Sequence, residues 1–130
     1  MAFSRVLQTA TGKSLIDMSS RQYHIVELTA NPFEVTAASA GVGVGVLQNH
    51  PAAGEAATIA LAGSETRVRA GSGGVGVGQF FTSAASGWAV GITSGALPTR
   101  SLGRALTAAA SGSVFTGFLE QTVTVSGAAN

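Results

Sequence analysis

The sequence predicts an all-β fold, a small single-domain β-barrel or β-sandwich with short hairpins and an N-terminal arm. Turn signals rich in Gly, Pro, Asn and Ser recur about every ten residues, a spacing typical of such folds. The segments between them alternate or are rich in β-branched residues. The 130 residues suffice for one domain. We predict an arm with limited structure of its own over residues 1–20, a barrel-like domain over 21–126 and a C-terminal tail over 127–130.

The first half of the domain contains four predicted strands. Residues 41–47 show the strictest alternation, with valines at 42, 44 and 46 and glycines at 41, 43 and 45. A glycine face allows another backbone or a ring to approach closely. The predicted strands cover residues 22–29, 35–36, 41–47 and 57–61.

The second half contains one segment that fits either a helix or a strand. Leu102, Leu106 and Ala109 have helical spacing, but Gly103 disfavours a helix, so we predict a hairpin over residues 102–119. A glycine-rich connection, residues 71–78, lies between the predicted strands at 66–70 and 79–82. The remaining predicted strands are 66–70, 79–82, 88–92 and 122–125.

The composition indicates a component of an assembly. Only 10% of the residues are charged, against about 25% in average domains. A monomer with so few surface charges is poorly soluble. The simplest explanation is that other protein covers much of its surface. The net charge of +1 argues against a nucleic-acid partner. Without cysteine there are no disulfides or thiolate sites, and no apolar run predicts a signal peptide or a membrane segment.

Candidate catalytic motifs are weak, and we expect no enzyme, no cofactor and no metal site. Residues 71–76 match G-x-G-x-x-G, but neither a helix nor an acidic residue follows at the spacing that a dinucleotide site needs. His24 and His50 lack metal-ligand spacing. No nucleophile elbow occurs, and nothing indicates that two of the glutamates converge.

Basic residues form the candidate interface. Arg67 and Arg69 share one strand face, and Arg100 and Arg104 lie nearby in sequence. They indicate either docking on an acidic partner or a polar sheet edge that discourages stray pairing. The candidate contacts to a partner or a second copy are Phe3, Arg5, Leu7, Lys13, Arg67, Arg69, Arg100 and Arg104.

Three stretches, residues 20–29, 45–59 and 67–71, resemble the small capsid decoration (cement) proteins of tailed bacteriophages. The resemblance covers about residues 19–120, with further matches at 82–83, 87–90 and 103–106. Residues 1–18 precede it and are interpreted as an added docking arm. The most specific motif reads G-V-L-Q-N-x-P-x-x-G and consists of Gly45, Val46, Leu47, Gln48, Asn49, Pro51 and Gly54.

The resemblance implies a β-barrel-like domain, often a homotrimer, that binds the major capsid protein on the outer surface of an assembled head. Such a protein is made in the bacterial cytoplasm, ends on the virion and stabilises the shell against the pressure of packaged DNA. No nucleic-acid or membrane partner is implied. The alternative is a carbohydrate- or host-surface-binding β module on the virion, with Trp88 as a stacking platform.

Overall fold

A computed structural model describes residues 9–93 and 99–125. These residues form ten strands in two five-stranded layers, a closed barrel and a second sheet. The predicted all-β fold is confirmed, since the helical structure within this part of the chain is a single short 3₁₀ turn at Ala85–Gly87.

The barrel comes from the first half of the chain. Its strand order is β1-β3-β2-β4-β5, and β1 closes it by pairing parallel to β3 and antiparallel to β5. The other neighbours are antiparallel. The strands are β1 (Thr9–Ser14), β2 (Ile25–Leu28), β3 (Glu34–Ala37), β4 (Gly45–Leu47) and β5 (Ala56–Ala60).

The second sheet has the order β6-β10-β9-β7-β8. Its two edge strands approach each other, because the Gly71 amide just after β6 donates to the Ala89 carbonyl of β8 at 2.7 Å. The sheet is therefore strongly curled. Its strands are β6 (Glu65–Arg69), β7 (Phe80–Ser83), β8 (Ala89–Gly91), β9 (Thr99–Ala105) and β10 (Val114–Val125).

Several barrel strands are buried on both faces. Along these strands, alternate side chains point into the barrel interior, and the side chains between them join the core of the second sheet. The neighbouring pairs Ile25/Val26, Val46/Leu47 and Ile59/Ala60 each divide between the two clusters in this way. The interior cluster contains Met18, Val26, Val35, Leu47, Ala57 and Ile59.

The shared core continues into the second sheet through its aromatic residues. Phe81 and Phe115 are fully buried and meet edge to face, with ring centroids 5.1 Å apart. Phe80 faces the opposite side of β7, where the Arg104 guanidinium lies 4.8 Å from its ring centroid. One core therefore joins the barrel to the second sheet.

The predicted hairpin over residues 102–119 is confirmed. Strands β9 and β10 pair antiparallel, with Gly117 opposite Ala105. The separate strand predicted at 122–125 is instead the end of β10, which continues past a register shift between Leu119 and Thr122.

Two predicted strands are shorter than expected. Residues 41–44 do not belong to β4, since Gly41 has φ +77° and its amide donates to Ser83 of another layer. Residues 22–24 precede β2 in a turn, where Tyr23 has φ +69°. Alternation alone does not make a strand, since these segments satisfy their backbone groups in turns.

The expectation of limited structure in the arm is wrong for residues 9–14. These residues form β1, which pairs with β5 from Thr9 to Lys13 and closes the barrel. The sequence TATGKS has no alternation of apolar residues that would predict a strand. Residues 1–8 and the tail at 127–130 lie outside the described residues, and the division into arm, domain and tail stays a prediction.

Gly45→Ala should destabilise the protein, because an added Cβ at Gly45 would lie 2.5 Å from both the Ala60 carbonyl oxygen and Ile59 Cγ2. We expect a loss of about 1–3 kcal/mol in the free energy of unfolding, measured by chemical denaturation. Gly76→Ala is the control, since the atom nearest to its added Cβ is 3.7 Å away. Equal effects of the two substitutions would contradict the close approach of β4 to β5.

Candidate functional site

A cleft of about 430 Å³ lies where the barrel meets the second sheet. It collects residues from the turn before β2, the end of β6, the segment before β8 and the loop before β10. The lining residues are Ser20, Arg21, His24, Arg69, Ser86, Trp88 and Gly112.

The backbone carbonyl of Ser86 organises one side of the cleft. It accepts hydrogen bonds from His24 Nδ1 and from Arg21 Nη1, each at 3.0 Å. Ser86 has φ +61° and Gly87 has φ +79°, so the chain turns sharply here. Only glycine fits at position 87, where a Cβ would lie 2.3 Å from the Ile25 carbonyl oxygen. The turn thereby positions the carbonyl that anchors the side chains of Arg21 and His24.

Arg69 forms the other side of the cleft. It lies on the outward face of β6, between the buried residues Val68 and Ala70, and its Nη1 donates to the Gly112 carbonyl at 2.7 Å. No carboxylate lines the cleft, and neither Arg21 nor Arg69 forms an ion pair within the described residues. The cleft is therefore positively charged.

Trp88 separates this cleft from a second, more apolar one. Its ring contacts the buried His24 imidazole, with centroids 4.6 Å apart and the planes inclined by 56°. Trp88 is half-buried, so it is a wall of the two clefts rather than an exposed stacking platform. The second cleft, about 290 Å³, is lined by Gly71, Ser72, Ala84, Ala85, Trp88, Val90, Ser111 and Gly112.

His24 is held neutral by its surroundings. Burial lowers its pKa below the ordinary histidine value, and the positive charges of Arg21 and Arg69 lower it further, against the raising effect of the hydrogen bond to Ser86. Because the Ser86 carbonyl only accepts, Nδ1 carries the proton of the neutral ring. His24 Nε2 has no hydrogen-bond partner among residues 9–93 and 99–125.

The predicted basic residues are partly brought together. Arg67 and Arg69 share the outward face of β6, as expected, and Arg104 lies on the same sheet, where its Nε donates to the Gly78 carbonyl. Of these, Arg69 alone lines the cleft. Lys13 is exposed on β1, and Arg100 is exposed on β9. Phe3, Arg5 and Leu7 lie outside the described residues.

The motif that carries the resemblance, residues 45–54, builds the β4–β5 hairpin. Gln48 Nε2 donates to the hydroxyl of Thr66, and Asn49 binds the backbone of Ala56 and Thr58 at both ends of its side-chain amide. Gly54 has φ +84° and sits in the turn. Val46, Leu47 and Pro51 are buried. These motif residues have a structural role in this fold.

A second notable surface is the apolar end, which we define as Leu15, Ile16, Leu28 and Phe33. Backbone contacts bring them together: Lys13 N donates to Phe33 O, Leu15 N donates to Val35 O, and Leu28 lies opposite Val35. All four side chains are exposed, Phe33 by 82%. This end lies at the far end of β2 from the cleft.

Phe33 lies in a loop that is held together by side-chain hydrogen bonds to Glu34. It has φ +56°, a conformation unfavourable for a bulky residue. Glu34 Oε1 accepts hydrogen bonds from Thr29 Oγ1 at 2.7 Å and Asn31 Nδ2 at 3.0 Å, which lower the pKa of the Glu34 carboxyl. Neither burial nor backbone preference explains a phenylalanine here, and such outliers cluster at binding sites.

Sequence reasoning missed Ser20, Arg21, Ser86 and Gly112 as parts of a site. Arg21 and Ser86 are 65 positions apart, and no spacing connects them.

Within the described residues, no helix is long and apolar enough to span a membrane. No group of three or more potential metal ligands occurs there either.

Comparison with known proteins gives a shared fold. No family model and no curated protein matches the sequence. Among solved structures, the chain is similar to the crystal structure of the head fiber gp8.5 N base in bacteriophage phi29, with a TM-score of 0.68 and 19% identity. The match covers 87% of this chain and 93% of that chain. Membership of the decoration-protein family stays a prediction.

The lowered pKa of His24 should make stability depend on pH. As pH falls below the ordinary histidine pKa of about 6.5, His24 takes up a proton in the unfolded chain but not in the folded chain. The free energy of unfolding should therefore decrease on acidification, and the part of the decrease due to His24 should level off once pH passes its folded pKa. Denaturation between neutral and mildly acidic pH measures this decrease.

His24→Asn is the informative variant, since its amide nitrogen can replace Nδ1 as the donor to Ser86 but does not titrate. We expect the free energy of unfolding of this variant to decrease much less on acidification. His50→Asn, in an exposed loop, should show the same decrease as wild type. The same pH dependence in wild type and His24→Asn would show that His24 does not cause it.

Proposed function

We propose that this chain is a structural protein of a tailed-phage head, a decoration (cement) protein that binds the outer surface of the shell. Its partners in this proposal are the major capsid protein and further copies of itself in a homotrimer. It acts without catalysis, by adding contacts that resist the pressure of packaged DNA. Its place is the outer surface of the virion.

The observation that carries the proposal is the fold. The likeness to the base of a phage head fibre extends over 87% of this chain and 93% of that one, so it includes both the barrel and the second sheet. A fold alone does not fix a function. The surface of this chain supplies the further support.

The apolar end supports a binding role. Phe33 is exposed by 82% and Leu28 by 62%, next to Leu15 and Ile16. Clustered large apolar side chains on a surface mark interaction sites, whereas scattered ones need no explanation. On a chain with 10% charged residues, such a cluster favours a protein surface as the partner.

The proposed action needs only binding energy. A protein that binds the assembled shell more tightly than its separate subunits stabilises the shell by mass action. Many copies make many modest contacts, and their contributions add over the whole particle. Within the described residues, the clefts and the apolar end supply surfaces for contact of this kind.

Co-sedimentation with heads tests the proposal. The purified full chain is mixed with expanded, empty heads that lack it, taken from the phage that encodes it, and with its unassembled major capsid protein. We expect saturable binding to the heads, weak binding to the unassembled subunits and a higher temperature of head disruption. Absence of binding to the heads would overturn the proposal.

Phe33→Asn should separate binding from folding. Asparagine tolerates positive φ better than phenylalanine, so we expect stability to be unchanged or raised by up to about 1 kcal/mol. The binding of heads should weaken at least about ten-fold, because the exposed ring is lost. Sedimentation titration and chemical denaturation measure the two effects.

Val77→Asn is the matched control, since Val77 is 71% exposed but lies in the glycine-rich connection at residues 71–78, far in sequence from the apolar end. It should leave head binding unchanged. If Phe33→Asn binds heads as wild type does, the apolar end is not the contact with the shell.

Two truncations test the role of the arm. Deleting residues 2–8 leaves β1 in place, whereas deleting residues 2–18 removes the strand that closes the barrel. We expect the shorter deletion to fold with near wild-type stability but to lose head binding, and the longer deletion to unfold or aggregate. Circular dichroism, denaturation and co-sedimentation measure these outcomes. Full head binding by the shorter deletion would refute docking by residues 2–8.

A further inference from the structure

We propose that the cleft between Arg21 and Arg69 binds the carboxylate of an Asp or Glu side chain in an extended peptide segment of a partner, with a small apolar residue beside it. This inference deepens the proposed function and rests on it in one respect, because the partner there is the shell protein. It adds a specific chemistry of recognition.

The positive charges of the cleft favour the binding of an anion. Its walls carry two guanidinium groups and one imidazole, without a carboxylate. Each guanidinium uses one nitrogen on a backbone carbonyl, and its other N–H groups have no partner within the part of the chain that is described. A ligand with negative charge would supply the missing acceptors.

The two arginines are fixed before a ligand arrives. Arg21 is anchored on the Ser86 carbonyl at 3.0 Å and Arg69 on the Gly112 carbonyl at 2.7 Å. A guanidinium held in one orientation loses little further freedom on binding, and its planar fork matches a carboxylate. The site is therefore arranged for a compact, planar anion.

His24 adds a third contact that responds to charge. Its Nδ1 proton points to Ser86, so Nε2 accepts in the neutral ring and donates after protonation. Arg21 and Arg69 are the charged groups that act on this buried ring. A bound carboxylate would offset their charges and favour the protonated form, so binding and protonation of His24 are linked.

The neighbouring apolar cleft identifies the rest of the ligand. Trp88 and Gly112 line both clefts, and the second adds Ala84, Ala85 and Val90. Its volume of about 290 Å³ has room for a small apolar side chain together with the adjoining peptide backbone. A peptide with an acidic residue beside Ala or Val would fill the two clefts together.

A sugar fits this site less well. Sugar hydroxyls both donate and accept, and the carboxylate and amide side chains of Asp, Glu, Asn and Gln are suited to pair with them. None of these four residue types lines either cleft. Arginine and tryptophan only donate, which favours a ligand rich in acceptors. We therefore propose a peptide carboxylate, and an acidic sugar becomes an outcome of the test.

The experiment uses the full chain and the blocked peptide acetyl-Ala-Val-Glu-Val-Ala-amide. Trp88 is the only tryptophan in the sequence, so its indole N–H signal in NMR reports on the cleft without ambiguity. The same titration follows the imidazole signals and the pKa of His24. The comparison probes are the peptide with Gln in place of Glu, sodium glucuronate and inorganic phosphate.

We expect the Glu peptide to shift the Trp88 signal saturably and to raise the pKa of His24. The Gln peptide should bind at least about ten-fold more weakly, because it lacks the charge. Arg21→Gln and Arg69→Gln should each lower the affinity for the Glu peptide by about ten-fold or more. Arg21→Lys and Arg69→Lys, which keep the charge without the planar fork, should cost less.

Arg104→Gln is the matched control. Like the two cleft arginines, Arg104 donates to a backbone carbonyl, that of Gly78, but it lies outside the cleft. It should bind the Glu peptide as wild type does. Equal binding of the Glu and Gln peptides, or no shift of Trp88 with millimolar Glu peptide, would overturn the proposal. So would saturable binding of glucuronate or phosphate without binding of the Glu peptide.

The outcome is distinguishable from failure of the proposed function. If Arg21→Gln and Arg69→Gln no longer bind the peptide but bind heads as tightly as wild type does, the cleft is not a contact with the shell, and decoration is left intact. Peptide binding without any binding to heads would refute decoration and leave the recognition of carboxylates intact.

Discussion

Burial of both faces of β2, β4 and β5 is the constraint on which the whole structure depends. Each strand contributes one side chain to the barrel interior and its neighbour to the core shared with the second sheet, as Val46 and Leu47 do. Because Ile25 and Ala60 face the second sheet, the barrel has no independent outer surface there. The two layers therefore form one unit, and the cleft at their junction has fixed walls.

This constraint also explains part of the composition. Strands buried on both faces exclude charged residues, since a buried charge is costly without a partner. Ala57, Ala60 and Gly45 are small where neighbouring strands and sheets approach closely. The sparing use of charge thus has an internal cause that does not depend on the proposed cover by a partner. The large exposed side chains, Phe33 above all, are the feature that favours the proposed cover.

The sequence predicted most strands, but the site only in part. Local patterns suffice for the β9–β10 hairpin and for the shared face of Arg67 and Arg69, because both depend on alternation along one or two strands. They fail for β1, whose sequence TATGKS has no apolar face and which is defined by pairing with distant strands. The cleft fails for the same reason, since the Ser86 carbonyl that organises it is brought by topology to Arg21, 65 positions away.

The two candidate surfaces differ in chemistry and lie at opposite ends of β2. His24, in the cleft, directly precedes Ile25, whereas Leu28 at the other end of the strand belongs to the apolar end. Burial of Phe33 gives binding energy with little directional specificity, and a pair of anchored guanidinium groups gives orientation. The proposed clamp between neighbouring shell subunits would need both, because adhesion without orientation would also bind unassembled subunits. The shared core between the surfaces fixes their separation, so in the proposed function occupancy of both would depend on the spacing of partners in an assembled shell.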